Sequence, residues 1–254
     1  MKTSGNTILI TGGGSGIGAA LAQRFHEAGN QVIVAGRRQD ALDAVVEGRD
    51  GMFALTLDVE SAEGVEDFAR RVIAAYPGLN ILINNAGIMR FEALDTRRDL
   101  ADAEATITTN LLGPIRLTNA LIDHLAAQAD AAIVNVTSGL AFVPLVDTPT
   151  YNATKAAIHS YTVSLREALK DKVKVIELAP PAVQTGLTPG QETRPGYQPL
   201  NEFIDEVMAL FGQDPTPSEI LVERVKFLRN AEAEGRFDAA LAQLNAMARA
   251  ARAG

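Results

Sequence analysis

The sequence contains no cysteine among its 254 residues. Disulfide bonds, a thiolate nucleophile and a cysteine-ligated zinc site are therefore excluded. The three histidines, His26, His124 and His159, fall within helical patterns and show no metal-type spacing, so we predict no metal site. The chemistry of this chain has to come from oxygen and nitrogen groups.

Long hydrophobic runs are also missing, because charged residues or glycines interrupt each apolar stretch before the ~20 residues that a membrane helix needs. Residues 1–5 are polar and lead directly into an apolar run, which leaves no room for a signal peptide. Positive charge is scarce: 23 Lys and Arg stand against 31 Asp and Glu, and the net charge of -8 repels nucleic-acid phosphates. We expect a cytoplasmic protein that binds neither membrane nor nucleic acid.

The chain has the composition of an ordinary globular domain, with 47% hydrophobic and 21% charged residues. Short aliphatic runs alternate with longer helical patterns, which indicates parallel strands buried on both faces. The predicted strands are Thr7 to Thr11, Gln31 to Ala35, Gly51 to Leu57, Asn80 to Asn84, Ala131 to Thr137 and Lys174 to Leu178. The predicted helices between them are Gly18 to Gly29, Gln39 to Val46, Ala62 to Tyr76, Leu100 to Ala127 and Asn152 to Lys170.

This alternation predicts an α/β fold, a single doubly wound Rossmann-type parallel sheet of about six strands in the order 3-2-1-4-5-6 with helices on both faces. One domain spans residues 1–254. A Pro- and Gly-rich stretch and an apolar-striped helix from Leu200 to Phe211 form a flap over about residues 186–215. Further helices are predicted over Ser218 to Leu228 and Phe237 to Ala253, and no seventh strand is expected.

A glycine-rich loop, TGGGSGIG from Thr11 to Gly18, joins the first predicted strand to the first helix. Glycines in such a loop let the backbone approach a pyrophosphate, and the helix N-terminus favours its negative charge. A glycine-rich turn of another α/β fold or a methyltransferase-type loop would have a similar pattern.

The second predicted strand is followed by Arg37 and Arg38, where an NAD-selective site would place an acidic residue for the adenosine ribose. Arginines favour the 2′-phosphate of NADP(H), although both could be solvated residues ahead of a helix. Asp58 ends the third strand, where it would accept a hydrogen bond from the adenine amino group or cap the next helix.

Several motifs together resemble the short-chain dehydrogenase/reductase family over about residues 5–230. The family's landmarks occur in its order and are the glycine-rich loop, Asp58-Val59, Asn84-Asn85-Ala86-Gly87, Asn110, Ser138, Tyr151 and Lys155. Within the family, the stretch from Pro180 to Val183 and the short helical C-terminus resemble a subgroup typified by an oxidoreductase associated with teichoic-acid D-alanylation.

The residues of the expected active site also make chemical sense. Tyr151 and Lys155 share a helix face, although most pairs at this spacing merely form a helix surface. A cation beside a tyrosine stabilises tyrosinate and makes the phenol a usable acid/base. Ser138 is placed to stabilise the substrate oxygen, or it is an ordinary strand-end serine. The resemblance makes Asn110 the anchor of a relay water behind Lys155, and Asn110 could also satisfy buried backbone groups.

The resemblance implies an oxidoreductase that reduces a ketone or aldehyde to an alcohol, or runs the reverse reaction, and Arg37 and Arg38 favour NADP(H) as its cofactor. A non-catalytic dinucleotide sensor or scaffold and a Rossmann-like methyltransferase are the alternatives. Neither of them needs a complete set of four catalytic residues. The implied catalytic residues are Asn110, Ser138, Tyr151 and Lys155. The residues assigned to the cofactor are Gly12, Ser15, Gly16, Ile17, Gly18, Arg37, Arg38, Asp58, Val59, Asn85, Ala86, Gly87, Tyr151, Lys155, Pro181, Val183 and Thr185.

The chain departs from the family pattern at two places. Pro181 replaces the usual glycine after strand 6, and because proline has no N–H and a fixed φ, the backbone path there should differ. The missing seventh strand weakens the case for the family's common tetramer. We therefore expect a homodimer formed through the helices Leu100 to Ala127 and Asn152 to Lys170.

The surroundings of the predicted site favour a small, mainly apolar carbonyl or alcohol substrate over an anionic one. Arg90 is the nearby cation, and as a loop residue it is expected to be solvated. The stripe of the flap helix would face the substrate or belong to the core. The expected walls are Met89, Phe91, Leu140, Ala141, Phe142, Val143, Pro144, Leu200, Phe203, Ile204, Val207, Met208 and Phe211.

Overall fold

Seven parallel strands form one sheet in the computed structural model, which describes the backbone of residues 1–253 and the side chains of residues 1–250. The strands are β1 (Thr7–Thr11), β2 (Gln31–Gly36), β3 (Met52–Thr56), β4 (Leu79–Asn84), β5 (Ala132–Val136), β6 (Lys174–Leu178) and β7 (Glu219–Ile220). They lie in the order β3-β2-β1-β4-β5-β6-β7. The predicted order of the first six strands is confirmed, and the winding reverses between β1 and β4.

The expectation that a seventh strand is missing is wrong. Strand β7 extends the sheet beside the end of β6, with Glu177 opposite Glu219 and Leu178 opposite Ile220. A strand of two residues is too short to show the alternation typical of a strand. The predicted helix from Ser218 to Leu228 therefore included these two residues, because helical spacing follows them directly. The absent strand was the reason to doubt a tetramer, and that reason falls away.

The helices cover both faces of the sheet. They are α1 (Gly16–Glu27), α2 (Gln39–Val46), α3 (Ala62–Ala75), α4 (Ala101–Ile107), α5 (Gly113–Ala126), α6 (Pro149–Leu169), α7 (Leu200–Phe211), α8 (Glu223–Arg229) and α9 (Phe237–Ala253). The predicted helix from Leu100 to Ala127 is interrupted by a π-helical turn at Thr108–Leu112. Such turns are rare and often mark functional sites. Within residues 1–253, no helix has the length and apolarity needed to cross a membrane.

The hydrophobic core forms two layers, because alternate strand residues point to opposite faces. On one face Ile8 and Ile10 pack in a cluster that includes Phe25 of α1 and Phe211 of α7, whose ring centroids are 5.6 Å apart. On the other face Leu9 packs in a cluster with residues of α3 and α5. Burial on both faces explains why the strands read as continuous aliphatic runs.

The apolar stripe of α7 belongs to this core. Phe203, Ile204, Val207 and Phe211 are at most 1% exposed and pack in the same cluster as the α1 side chains. Leu200 and Met208 pack against that cluster from its edge. Of the two interpretations of this stripe, the structure supports the core one. The part of the flap that crosses the cleft is the loop over residues 186–199.

Candidate active site

The glycine-rich loop lies between β1 and α1, where the sheet winding reverses. A Cβ atom built on Gly18 would lie 2.4 Å from the Gly12 carbonyl oxygen, and Gly12 itself has a φ of +66°. Both positions therefore require glycine. The Asn85 side-chain amide donates to the Thr11 carbonyl oxygen at 2.9 Å and ties the loop to the end of β4.

The first turn of α1 has the properties of an anion site. Ser15 precedes the helix, and its side chain does not cap it. The backbone N–H groups of that turn and the helix dipole therefore point at the loop with no side chain in competition. Thr185 lies across from the loop, since a Cβ atom built on Gly16 would be 3.4 Å from the Thr185 Cβ. This cradle fits a pyrophosphate.

A first cavity of about 200 Å³ extends from the glycine-rich loop to the end of β2. Arg37 and Arg38 line its outer end, and Val59 and Leu42 line it with apolar surface. Arg38 has no carboxylate oxygen within 4 Å among the residues that the structure describes. Basic groups at one end and apolar walls along the sides suit an adenosine group that carries a phosphate.

Glu60 is a residue of this cavity that the sequence analysis missed. Its Oε1 accepts a hydrogen bond from Arg37 Nη1 at 3.1 Å and another from Thr109 Oγ1 at 2.7 Å. The Arg116 guanidinium donates to the Glu60 carbonyl oxygen at 2.9 Å. An acidic residue just before a helix is ordinarily a solvated one, so only the fold shows that Glu60 is held against Arg37.

Asp58 lies outside the cavity that it was predicted to line. It is exposed, and its Oδ1 accepts a hydrogen bond from the Glu60 backbone N–H at 3.0 Å. The helix cap that was the alternative role belongs to Ser61, whose Oγ accepts from the Gly64 N–H at 3.0 Å. Val59 does line the cavity.

A second cavity of about 490 Å³ joins the glycine-rich loop to the carboxyl ends of β4, β5 and β6. The predicted cofactor residues that line one or both of these cavities are Gly12, Ser15, Gly16, Ile17, Arg37, Arg38, Val59, Asn85, Ala86, Gly87, Tyr151, Lys155, Pro181, Val183 and Thr185. Gly18 is packed against the loop instead. Sequence positions far apart are thus brought to one continuous cleft.

Helix α6 carries Tyr151 and Lys155 into the second cavity. Both are buried, and the Lys155 Nζ lies 5.5 Å from the centre of the Tyr151 ring and donates to the Val136 carbonyl oxygen at 2.9 Å. Burial raises the pKa of Tyr151 to about 12, although a hydrogen bond with Ser138 lowers it in part. Burial also lowers the pKa of Lys155 to about 8. In this arrangement burial outweighs the predicted stabilisation of tyrosinate.

Ser138 and Asn110 approach the same point from two other elements. Ser138 follows β5, and its Oγ accepts from the Leu140 N–H at 3.1 Å. The Asn110 Oδ1 accepts from the Ile88 N–H, and the Asn110 Nδ2 donates to the Ile88 carbonyl oxygen, both at 2.8 Å. Asn110 therefore satisfies buried backbone groups, which was one of its two proposed roles. A Cβ atom built on Gly87 would be 3.3 Å from Asn110 Oδ1 and 3.7 Å from Lys155 Nζ, which places Asn110 directly behind the cleft.

Pro181 lies in a backbone segment that is held from both sides. The Pro180 carbonyl oxygen accepts from the Gly139 N–H at 2.8 Å, and Gln198 bonds the backbone of Ala182 and Gln184. Val183 remains in the wall of the second cavity and Pro181 lines the second and third. These backbone hydrogen bonds hold the segment that contains both prolines beside the cleft.

A third cavity of about 290 Å³ opens beside Tyr151 and Ser138. Its other lining residues are Met89, Phe91, Gly139, Leu140, Leu145, Pro180, Pro181, Ala182, Leu187, Thr188, Gln191, Arg194, Pro195, Gly196, Tyr197, Leu228, Leu244, Met247 and Ala248. Met89, Phe91 and Leu140 were predicted walls, whereas Ala141, Phe142, Val143 and Pro144 lie elsewhere. The loop containing Arg194 belongs to the predicted flap, whereas the sequence analysis did not assign Leu145, Leu228 of α8 or the C-terminal helix α9 to this wall.

The cation that sequence analysis placed near the substrate lies at the rim of the second cavity. Arg90 is half exposed, and its Nε lies 3.5 Å from the Asp102 carboxylate. Arg194 of the loop 186–199 is the arginine in the third cavity. The Pro- and Gly-rich composition of its surroundings predicted the flap, but not that Arg194 would line this cavity.

Comparison with known proteins agrees with this geometry. Residues 6–195 match the family described as short chain dehydrogenase. The chain belongs to the short-chain dehydrogenase family. It is 38% identical to the Bacillus subtilis protein described as uncharacterized oxidoreductase DltE, over 96% of this chain and 98% of that protein. The subgroup resemblance drawn from the sequence is thereby confirmed.

Two solved structures show the same fold. One is a short chain dehydrogenase from Burkholderia cenocepacia in complex with NADP, with a TM-score of 0.81, 26% identity and coverage of 95% of this chain and 99% of that one. The other is a 3-ketoacyl-(acyl-carrier-protein) reductase from Brucella melitensis complexed with NADH, with a TM-score of 0.76, 26% identity and coverage of 85% and 93%.

Proposed function

We propose that this short-chain dehydrogenase is an NADP(H)-dependent oxidoreductase that reduces a ketone or aldehyde to an alcohol, or runs the reverse reaction. One observation carries the proposal. Tyr151, Lys155 and Ser138 meet where the cleft of the first and second cavities adjoins the third cavity, with Asn110 behind them. A dinucleotide sensor or scaffold would have no use for an acid/base group at that junction.

The residues present fit a nicotinamide dinucleotide. The open first turn of α1 suits the pyrophosphate, and solved relatives were obtained with NADP and with NADH. Arg37 and Arg38 favour the 2′-phosphate, and so NADP(H) over NAD(H). When bound, this cofactor supplies or takes up the hydride.

The protein's own residues handle the proton and the substrate oxygen. Tyr151 donates its phenolic proton to the carbonyl oxygen in reduction, and its raised pKa keeps that proton in place at neutral pH. Ser138 donates a hydrogen bond to the same oxygen as its negative charge develops. In the oxidation direction charged Lys155, 5.5 Å from the ring, favours the tyrosinate that accepts the proton. Asn110 is a positioning residue that holds the backbone of Ile88.

The substrate has a mainly apolar body, because most of the residues lining the third cavity are apolar or aromatic. This body would lie between the loop 186–199 and α9, with its carbonyl group toward Tyr151. We further propose that the enzyme works in the cytoplasm, where NADP(H) is available to a reductase.

We also propose a homodimer as the working assembly. Apolar side chains are exposed on the two long helical segments that were predicted to form its interface. Ile107 at the end of α4 is 40% exposed, Leu112 in the π-helical turn is 38% exposed, and Val163 on α6 is 46% exposed. A second copy of this chain would cover them in a self-complementary contact.

The test of the proposed activity is NADPH consumption with a panel of aryl-alkyl ketones and aldehydes, for the wild type and Tyr151→Phe. We expect turnover by the wild type and a loss of about 1000-fold or more in kcat for the variant, with NADPH binding by fluorescence retained, because only the proton donor is removed. A variant that keeps most of its kcat would rule out Tyr151 as the acid. Stabilisation by S-adenosylmethionine alone in a thermal-shift comparison would favour a methyltransferase instead.

A further inference from the structure

The third cavity contains one charged side chain. Among the described residues that line this cavity, Arg194 is the single Lys, Arg, Asp or Glu. The other lining residues are apolar, aromatic or polar without charge. A guanidinium brings a fixed positive charge to such a wall. An apolar cavity with one fixed positive charge discriminates between neutral and anionic ligands.

Arg194 is poorly satisfied by the protein itself. It is half-buried, and no carboxylate oxygen lies within 4 Å of its guanidinium in the part of the chain whose side chains are described. Its Nη1 and Nη2 each make one long hydrogen bond of 3.4 Å, to the Tyr197 hydroxyl and the Pro189 carbonyl oxygen. Because a guanidinium has five N–H donors, most of its capacity is open to a ligand.

Two other partly buried arginines show the contrast. Arg229 donates two hydrogen bonds to the Glu219 carboxylate at 2.8 and 3.0 Å, and Arg98 donates one to Glu92 at 2.9 Å. Each has its counter-charge inside the protein. Arg194 faces a cavity where the counter-charge would have to arrive with the ligand.

Tyr197 provides a second hydrogen-bond donor beside Arg194. The Arg194 guanidinium lies 5.4 Å from the centre of the Tyr197 ring, and this stacking limits its rotation. The Tyr197 hydroxyl accepts from Arg194 and lines the same cavity, so its own O–H is left to donate. A planar carboxylate can accept from both groups, and a fork of parallel N–H donors matches its geometry.

We infer that the substrate carries a carboxylate remote from its carbonyl group, and that Arg194 with Tyr197 binds it at the end of the third cavity. This inference rests on the proposed function and names its substrate class as oxo acids, or the corresponding hydroxy acids, with an apolar linking segment. It replaces the expectation of a neutral substrate, which considered Arg90 alone. The apolar walls accommodate the linker, and the carboxylate brings the counter-charge.

The test compares each of three oxo acids, benzoylpropionate, benzoylbutyrate and benzoylvalerate, with its methyl ester as a substrate for NADPH-dependent reduction. For the wild type we expect at least one acid to exceed its ester about 10- to 100-fold in kcat/KM, since hydrogen bonds to a charged group are stronger than those between neutral groups. The Arg194→Gln variant should lose that ratio, mostly through a higher KM for the acid, and Arg194→Lys should keep part of it.

Arg224→Gln is the matched control, because Arg224 donates to the Gly196 carbonyl oxygen of the same loop but does not line the cavity. It should leave the acid-to-ester ratio unchanged. An equal loss for acid and ester in Arg194→Gln would show that Arg194 merely holds the loop and would overturn the inference. Reduction of esters and acids at equal rates by the wild type would also overturn it while leaving the proposed function intact.

A binding measurement separates this inference from the proposed function. Phenylbutyrate and phenylbutyramide are titrated calorimetrically into the protein in the presence of NADP⁺. Tighter binding of the acid by the wild type, with the difference abolished in Arg194→Gln, supports the carboxylate site even if no ketone is reduced. Equal affinity for acid and amide refutes it.

Discussion

Arg37 Nη1 and Glu60 Oε1 lie 3.1 Å apart in the wall of the first cavity. The arginine that was predicted to bind the 2′-phosphate therefore already has a carboxylate partner. A phosphate that arrives at Arg37 would also meet the negative charge of Glu60. Arg38 has no carboxylate partner among the described residues, so its guanidinium is available to bind the phosphate.

Arg37→Asp should reverse the cofactor preference. The wild type is expected to have a higher kcat/KM with NADPH than with NADH, and the aspartate would repel the 2′-phosphate while accepting from the ribose hydroxyls. Steady-state rates with the two cofactors check this. A wild type that prefers NADH would contradict the assignment of NADP(H).

Glu60→Gln should increase the preference for NADPH by several-fold. The change keeps a hydrogen-bond acceptor for Thr109 and Arg37 but removes the carboxylate charge, so Arg37 is freed for the phosphate. The ratio of kcat/KM for NADPH and NADH is the measurement. Glu63→Gln, at an exposed position in the first turn of α3, is the control and should leave the ratio unchanged. A fall of the ratio in Glu60→Gln would indicate that Glu60 positions Arg37 and does not compete for it.

Lys155 should make folding stability depend on pH between about 8 and 10. The pKa of the buried lysine is lowered to about 8, whereas an unfolded lysine has a pKa of ~10.4. In this window the unfolded chain holds a proton that the folded protein has lost, so the free energy of unfolding rises with pH, by up to ~1.4 kcal/mol per pH unit. Below pH 8 both states are protonated and the dependence disappears.

Denaturant unfolding of the wild type, Lys155→Met and the exposed control Lys172→Met across this window measures the effect. The rise should be absent in Lys155→Met and retained in Lys172→Met. Above pH 10 the sign reverses, because unfolded Tyr151 ionises while the buried phenol, with a pKa raised to about 12, does not. Parallel curves for the wild type and Lys155→Met would show that Lys155 titrates normally.

Val163→Asp should dissociate the proposed homodimer. A charge at this exposed position of α6 would be buried against the second copy without a partner. Val146→Asp is the matched control, since Val146 is 48% exposed and lies outside the long helices. Light scattering should give the mass of two chains for the wild type and the control, and of one chain for Val163→Asp. A wild-type mass of one or four chains would contradict the proposal.

The sequence alone determined the strand order and the position of the cleft. Continuous aliphatic runs indicate burial on both sheet faces, and the glycine-rich loop indicates a tight turn, in which side chains would not fit at Gly12, Gly13 and Gly18. The spacing of Tyr151 and Lys155 places them on one side of α6. Each of these signals is local, because it depends on residues within a few positions of one another.

The tertiary structure decided what surrounds those residues. Folding brings Glu60 against Arg37, and it brings Arg194 and Met247 into the wall of the third cavity. These contacts join segments that are far apart in the chain. The apolar stripe of α7 has the same periodicity whether it faces a substrate or the core, and only its packing with α1 assigns it to the core. Burial likewise moved the pKa values of Tyr151 and Lys155 apart, because desolvation depends on the whole fold and not on helix spacing.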